Sequence, residues 1–149
     1  MKRFDYPPLW LLLFLVATIW DGHVFGAEPD PFIRYVGWGL ILAAIVMTVL
    51  ALRTLSQHET TFIPHQQPSR LVTSGPFRIS RHPIYLSDVV ILIGASLLCG
   101  AWLGLVSVPL FVLVLTRRFI GPEDAKLQAA FGEDFEAWSA TTPRWIWRF

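Results

Sequence analysis

The residue types best suited to chemistry stand together in one short motif, Arg81-His82-Pro83-Ile84-Tyr85. It offers a guanidinium, an imidazole and a phenol at the point where a polar segment meets an apolar run. Because proline fits the first turn of a helix, we expect a helix to begin here. The unpaired N–H groups at a helix start suit a carboxylate or phosphate ligand. The alternative is that Arg81 and Tyr85 only anchor this helix at a membrane surface.

Asp88 stands inside the apolar run that follows this motif, three residues after Tyr85 and so on the same helical face. An ionisable group within a membrane-spanning segment is costly to bury and often functional. Asp88 is also only about one helical turn from the predicted membrane surface. Two interpretations stay open: Asp88 lines a cavity and faces a substrate, or it is a structural carboxylate that reaches the surface.

A second set of charged residues lies after the last apolar run. Glu123 and Asp124 stand at the predicted start of an amphipathic C-terminal helix, next to Pro122, and Gly132 could divide that helix in two. The two carboxylates either cap this helix or bind hydroxyls or a cation of a ligand. Arg118, at the end of the preceding run, either sets the membrane topology or faces an acidic lipid or substrate.

Other kinds of site have little support. His58, His65 and His82 lack the spacing of metal ligands, and we predict no metal. The lone cysteine, Cys99, lies in an apolar run and is interpreted as a small core residue. A net charge of +1 argues against a nucleic-acid partner. The sequence contains no phosphate-binding loop and no Ser-His-Asp order.

The elements that must position these residues are apolar helices. Of the 149 residues, 54% are hydrophobic and 15% are charged, whereas soluble domains are about 25% charged. A helix crosses a bilayer with about 20 apolar residues and satisfies its own backbone groups there. We predict an all-α integral membrane protein of one domain, with four transmembrane helices at about 7–25, 35–52, 84–99 and 101–116.

Basic residues favour the cytoplasmic side of a membrane and predict the orientation. Lys2 and Arg3 precede the first helix, and residues 53–83 contain four arginines. We therefore place both termini in the cytoplasm, together with the segments 53–83 and 117–149, which would hold the catalytic residues. The compact chain suggests a bacterial inner membrane. A cleaved signal peptide ending near Ala27 is the alternative for the first run.

Two separated motifs resemble the signature of the isoprenylcysteine carboxyl methyltransferases and their bacterial relatives, which are related to the phospholipid N-methyltransferases. The first half consists of residues 71–77, LVTSGPF, and 81–85, RHPIY. The second half consists of residues 123–127, EDAKL, then 131–135, FGEDF, and finally 142–144, TPR. The halves flank the predicted hairpin of the third and fourth helices, and the resemblance covers roughly residues 58–149.

The resemblance implies S-adenosylmethionine as the methyl donor and S-adenosylhomocysteine as the product. By position, the cofactor would be bound by Arg70, Leu71, Val72, Phe77, His82, Pro83, Ile84, Tyr85 and Glu123. Catalytic roles would belong to Arg81, His82, Tyr85 and Glu123, and substrate contacts to Asp88 and Arg118. The sequence departs from the family in having Asp124 for a second glutamate, and Phe119, beside Arg118, for a substrate-contacting arginine.

The implied reaction mainly requires that the enzyme align the methyl donor and the acceptor, because a sulfonium leaving group needs no acid. The methyl acceptor could be hydrophobic or small, and a carboxylate, an amine or a thiol. We expect it to enter from the bilayer through a cleft between the third and fourth helices. One alternative is a non-enzymatic four-helix module, such as a transporter subunit or assembly factor. Another is a reductase similar to the sterol reductases, with NADPH. No pattern fixes an oligomeric state.

Overall fold

The computed structural model describes residues 6–58 and 70–146, and within these ranges every regular element is a helix. The helices are α1 (Pro7–Phe25), α2 (Pro31–Gln57), α3 (Pro83–Cys99), α4 (Trp102–Leu115), α5 (Gly121–Phe131) and α6 (Glu133–Thr141), with a 3-10 turn at Gly75–Arg78 and a π-helical turn at Thr116–Ile120. For the described residues the all-α prediction is confirmed. The predictions that concern Lys2, Arg3 and His65 lie outside them.

α3 is the central helix and packs against α1, α2 and α4. It approaches two of these helices closely at glycines, where Gly37 of α2 lies against Leu98 and Gly22 of α1 lies against Cys99. Since Gly37 is near the start of α2 and Leu98 near the end of α3, these two helices are antiparallel, whereas α1 runs parallel to α3. The first turns of α1 and α3 and the last turns of α2 therefore lie at the same end of the bundle.

Three stretches of the described chain are long and apolar enough to cross a membrane. They are Pro7–Phe25, Pro31–Gln57 and Trp102–Phe131, the last of which joins α4, the π-helical turn and α5. α3 has 17 residues and falls just short of that length. The helices thus support an integral membrane protein, and the fourth span stays a prediction.

α2 is longer than its predicted range of 35–52 and begins at Pro31. It starts earlier because the side chain of Asp30 accepts a hydrogen bond of 2.8 Å from the N–H of Phe32, while proline occupies the first turn. At its other end α2 continues to Gln57, past the charged Arg53. The apolar run marks the part of the helix that suits a bilayer, and polar residues extend the same helix beyond it.

The predicted helix start at residues 121–124 coincides with the first turn of α5, but α5 is not separate from α4. α4 passes through the turn Thr116–Ile120 directly into α5, and the N–H of Gly121 donates to the carbonyl of Thr116, five residues earlier. Because Pro122 has no N–H to donate, the wider π-helical turn before it accommodates this proline and leaves the chain helical. The expected division at Gly132 does occur, with a φ of 50° that favours glycine.

α6 folds back onto the bundle through its apolar residues. Phe135 and Trp138 are buried and pack with Ala51 of α2 and with Val72 and Phe77 of the segment before α3. The amphipathic C-terminal segment therefore packs against protein. This contact closes one end of the bundle around a cavity.

The glycine contact between α2 and α3 can be tested with a matched pair of substitutions. A Cβ at Gly37 would lie 2.9 Å from Leu98 Cγ and 3.0 Å from the carbonyl oxygen of Gly94, whereas nothing lies within 4 Å of a Cβ at Gly39. We expect Gly37→Leu to destabilise the fold by roughly 1–3 kcal/mol through overpacking. Thermal unfolding in detergent measures this, and Gly39→Leu is the control. Equal melting temperatures for the two variants would contradict the packing described here.

Candidate active site

A cavity of about 470 Å³ lies at the end of the bundle where α1 and α3 begin and α2 ends. Its volume falls within the roughly 300–1,000 Å³ of small-molecule sites. α5, α6 and residues 70–77 complete its wall. The residues predicted from sequence that line it are Arg70, Leu71, Val72, Phe77, Arg81, His82, Pro83, Ile84, Tyr85, Asp88 and Glu123.

Asp124, at the start of α5, is the centre of a buried ionic cluster behind this wall. One carboxylate oxygen, Oδ1, accepts a hydrogen bond of 2.9 Å from His82 Nε2. The other, Oδ2, accepts one of 2.7 Å from Arg144 Nε and lies 3.7 Å from a terminal nitrogen of Arg81. Since an ionised carboxylate only accepts hydrogen bonds, Nε2 of His82 must carry a proton.

The environment of Asp124 keeps its carboxyl group ionised. Asp124 comes after Arg117 and Arg118, which follow the apolar residues of α4, and it is only 5% exposed. Burial alone would raise the pKa of Asp124, but the hydrogen bonds and charges of His82, Arg144 and Arg81 together lower it below its usual value. A fixed negative charge therefore holds the three cationic or proton-bearing groups in place.

A second cluster faces the cavity on the other side of the His82 ring. The hydroxyl of Tyr85 donates a hydrogen bond of 3.0 Å to Glu123 Oε2, which also lies 3.8 Å from His82 Nδ1. The rings of His82 and Tyr85 stack, with centroids 5.7 Å apart and planes inclined by 23°. The side chain of Glu123 is 48% exposed and can therefore reach a ligand that comes from water.

The segment before α3 is hydrogen-bonded to backbone carbonyl groups of the C-terminal tail. The N–H of Arg81 donates to the carbonyl of Pro143 at 2.9 Å, and the hydroxyl of Ser80 donates to the carbonyl of Arg144 at 2.7 Å. The same hydroxyl accepts a hydrogen bond of 3.1 Å from the N–H of His82. These bonds join residues 80 and 81 to residues 143 and 144, and so connect the first half of the sequence motif to the second.

Two buried donors beside the cavity have no hydrogen-bond partner within residues 6–58 and 70–146. They are Nε of Arg81 and Nε1 of the Trp138 indole, and both residues line the cavity. The guanidinium of Arg81 also lies 5.4 Å from the centre of the Phe135 ring. Because buried donors are nearly always paired, these two suit an acceptor group of a ligand, such as a carboxylate.

Sequence reasoning did not identify every residue that shapes this site. From the sequence, Asp124 is a capping or ligand-binding carboxylate that replaces a glutamate, and Arg144 ends a motif. In the structure Asp124 bonds His82, and Arg144 bonds Asp124. Trp138 and Leu127 also line the cavity. The sequence signal for their role is that Asp124 and Arg144 belong to the second half of the motif. Their partners are distant in sequence, so the motif alone does not identify the contacts.

The structure places Arg118 and α4 away from the cavity, and it gives Asp124 partners other than a helix cap. Arg118 does not line the cavity, since its guanidinium lies over the Trp10 ring of α1 at 5.2 Å. A cleft between α3 and α4 was expected, but the cavity borders α1, α2 and α3 and includes no residue of Trp102–Leu115. The reason is that α4 packs against α1 and α3 away from the cavity. Asp124 binds side chains and makes no helix-capping bond.

Known proteins are similar to this chain over most of its length. The sequence profile of the phospholipid methyltransferase family matches residues 32–134. Two relatives from rice, the "Probable protein-S-isoprenylcysteine O-methyltransferase" of Oryza sativa subsp. indica and that of subsp. japonica, are each 30% identical over 114 residues. The match covers 72% of this chain and 58% of the relatives, so the chain spans a little over half their length. No solved structure matches the chain.

The ionic cluster makes a prediction about stability. Replacing Asp124 by asparagine leaves Arg81 and Arg144 without their shared countercharge, and breaking a buried pair in this way typically costs roughly 3–5 kcal/mol. We expect Asp124→Asn to lower the melting temperature at pH 7 in detergent. Asp134→Asn, the same change at an exposed position on α6, is the control. An unchanged melting temperature for Asp124→Asn would contradict the cluster.

The stabilisation that Asp124 provides should depend on pH, and Asp124→Asn tests the direction of that dependence. The pKa of Asp124 is lower in the folded protein than in the unfolded chain, where it is about 3.9. The stabilisation from Asp124 is therefore present above that value and is lost as the pH falls through the folded pKa. We expect the melting curves of the wild type and Asp124→Asn to differ at neutral pH and to converge in acid. A constant difference down to low pH would show that the stabilisation does not come from ionisation.

Proposed function

The chain belongs to the phospholipid methyltransferase family, and on that premise we propose that it transfers a methyl group from S-adenosylmethionine to an acceptor that comes from the membrane. Family membership confirms the resemblance of the two motifs and the class of enzyme, a methyltransferase. It does not favour the transporter, assembly-factor or NADPH-reductase alternatives. The observation that carries the proposal is that both halves of the motif meet in one cavity.

The residues around this cavity fit the chemical groups of the donor. Nε of Arg81 and Nε1 of Trp138 are buried, unpaired donors among the described residues and suit the methionyl carboxylate. The half-exposed carboxylate of Glu123 can accept hydrogen bonds from ribose hydroxyls or an amino group. Phe77 and Tyr85 offer ring faces to the adenine or to the positive sulfonium.

The contribution of the chain to the reaction is mainly positional. When bound, S-adenosylmethionine supplies an electrophilic methyl group on a sulfonium that leaves without an acid. The Tyr85 hydroxyl and Glu123 carboxylate hold each other at 3.0 Å, and Asp124 fixes the His82 ring beside them. Apolar side chains such as Leu52 exclude water from the rest of the cavity. Such a wall can keep a donor and an acceptor at a reacting distance of about 3–3.5 Å.

The topology proposed from sequence agrees with the position of the cavity. The start of α1, the end of α2 and the start of α3 lie at one end of the bundle, together with α5 and α6. We propose that this end faces the cytoplasm, that α3 completes four spans of a single domain over residues 1–149, and that the membrane is a bacterial inner membrane. α3 has 17 residues, the lower limit of about 17–25 for a spanning helix.

Binding of the donor tests this proposal first. We expect titration calorimetry on the purified protein in detergent to give a Kd for S-adenosylmethionine in the micromolar range, and no heat with NADPH. Glu123→Gln and His82→Ala should each weaken binding at least about tenfold, the usual effect of losing a charged hydrogen-bond partner. Glu133→Gln, an exposed position at the start of α6, is the matched control.

A folded wild-type protein that binds no S-adenosylmethionine would overturn the proposal. Binding that Glu123→Gln and His82→Ala leave unchanged would move the cofactor away from this cavity. Binding of NADPH in its place would favour the reductase alternative.

A further inference from the structure

α6 contributes Trp138 to the wall of the cavity and lies between two joints of the chain. We propose that α6 is a lid, which turns outward to admit S-adenosylmethionine and turns back so that Trp138 closes over the carboxylate of this ligand. This inference rests on the proposed function and describes how the ligand reaches the same site. It follows from the burial of two N–H groups, the contacts of α6 and the backbone at its ends.

The two N–H groups that suit a ligand carboxylate are out of reach while α6 is in its closed position. Nε of Arg81 and Nε1 of Trp138 are fully buried, although both residues line the cavity. The side chain of Glu123, by contrast, is 48% exposed and can be reached from water. A carboxylate can therefore pair with Arg81 and Trp138 only after a neighbouring part of the wall has moved.

The contacts of the two residues indicate which part of the wall moves. Arg81 is fixed beside the central helix α3, because its backbone N–H donates to the carbonyl of Pro143 and its guanidinium lies 3.7 Å from Asp124. Trp138 belongs to α6, and it packs on the bundle together with Phe135 in an apolar cluster. Apolar contacts are non-directional, so they can separate and form again without breaking backbone hydrogen bonds. The movable part is therefore α6.

Both ends of α6 are suited to act as joints. Gly132 alone separates α5 from α6, with a φ of 50° that favours glycine, and no atom of the described chain lies within 4 Å of a Cβ placed there. An exposed hydrogen bond of 2.7 Å between Gln128 and Glu136 spans this joint and can be exchanged for bonds to water. At the other end Thr142 is extended, with a φ of −114°. In hinged lids a few such terminal residues absorb the change in backbone angles.

The tail beyond α6 stays in place while α6 turns. The hydroxyl of Ser80 donates to the carbonyl of Arg144, and Nε of Arg144 donates to Asp124. The side chain of Trp145 is buried in the core with side chains of α3. The ionic cluster around Asp124 is therefore kept, and the motion is limited to residues 133–141.

A bound carboxylate would join the lid to the fixed part of the site. One of its oxygens can accept from Nε of Arg81 and the other from Nε1 of Trp138, so that both buried N–H groups gain a partner. Without a ligand, the closed position leaves these two groups buried and unpaired, which is costly. Binding of S-adenosylmethionine should therefore favour the closed lid, and its departure should favour the open one.

Hydrogen exchange, measured by mass spectrometry on the whole chain in detergent, tests the lid. In the empty protein we expect the amides of residues 133–141 to exchange at least about tenfold faster than those of residues 86–98 in α3. Saturating S-adenosylmethionine should slow the exchange of residues 133–141 at least about fivefold. Trp138→Phe keeps an aromatic ring but removes the indole N–H, so it should abolish most of this slowing and weaken binding about tenfold. Trp102→Phe, the same change at an exposed position at the other end of the bundle, is the control.

Slowing that occurs in the wild type and in Trp102→Phe, and that is lost in Trp138→Phe, would support the lid. If residues 133–141 exchange as slowly as α3 in the empty protein, or if bound S-adenosylmethionine leaves their exchange unchanged, the inference is overturned. Equal slowing in Trp138→Phe would overturn the closing contact of Trp138. Fast exchange of residues 133–141 in a folded protein that binds no S-adenosylmethionine would refute the proposed function and leave the motion of α6 in place.

Discussion

The site depends on one buried carboxylate, that of Asp124. It binds His82 at the start of α3 and Arg144 in the C-terminal tail, and it lies within ion-pair distance of Arg81. A buried charge is stable only while all of its partners are present. The segment before α3, the start of α5 and the tail must therefore assemble together, and the cavity wall forms only when they do.

The helices bring these three segments to one place. α1 runs parallel to the central α3 and α2 runs antiparallel to it, so that one end of the bundle gathers two helix starts and one helix end. The π-helical turn Thr116–Ile120 extends α4 into α5 without a loop, which carries Glu123 and Asp124 to the same end. α6 then returns over the bundle, and burial of Phe135 and Trp138 holds the tail against Arg81.

Local physical chemistry explains which features could be predicted from the sequence. The bounds of α1 were predicted correctly, since proline begins that helix and its apolar run ends where the helix ends. The ends of α2 and the π-helical turn could not be predicted in this way. Hydropathy reports the environment that a residue prefers and does not report its backbone hydrogen bonds. The motifs indicated His82 and Glu123, but the partners of Asp124 and the contact of Arg118 with Trp10 depend on tertiary packing.

The three acidic residues near the cavity differ in what surrounds them, and this difference leaves two of them available to a ligand. Asp124 is neutralised by protein groups, whereas Glu123 is half-exposed and Asp88 has no partner among the described residues. The proposed donor carries a positive sulfonium, and an apolar wall strengthens the attraction between that charge and a nearby carboxylate. Glu123 and Asp88 both line the cavity and can provide that attraction. The pairing of Asp124 with Arg81 and Arg144 also keeps those two guanidinium groups from neutralising Glu123.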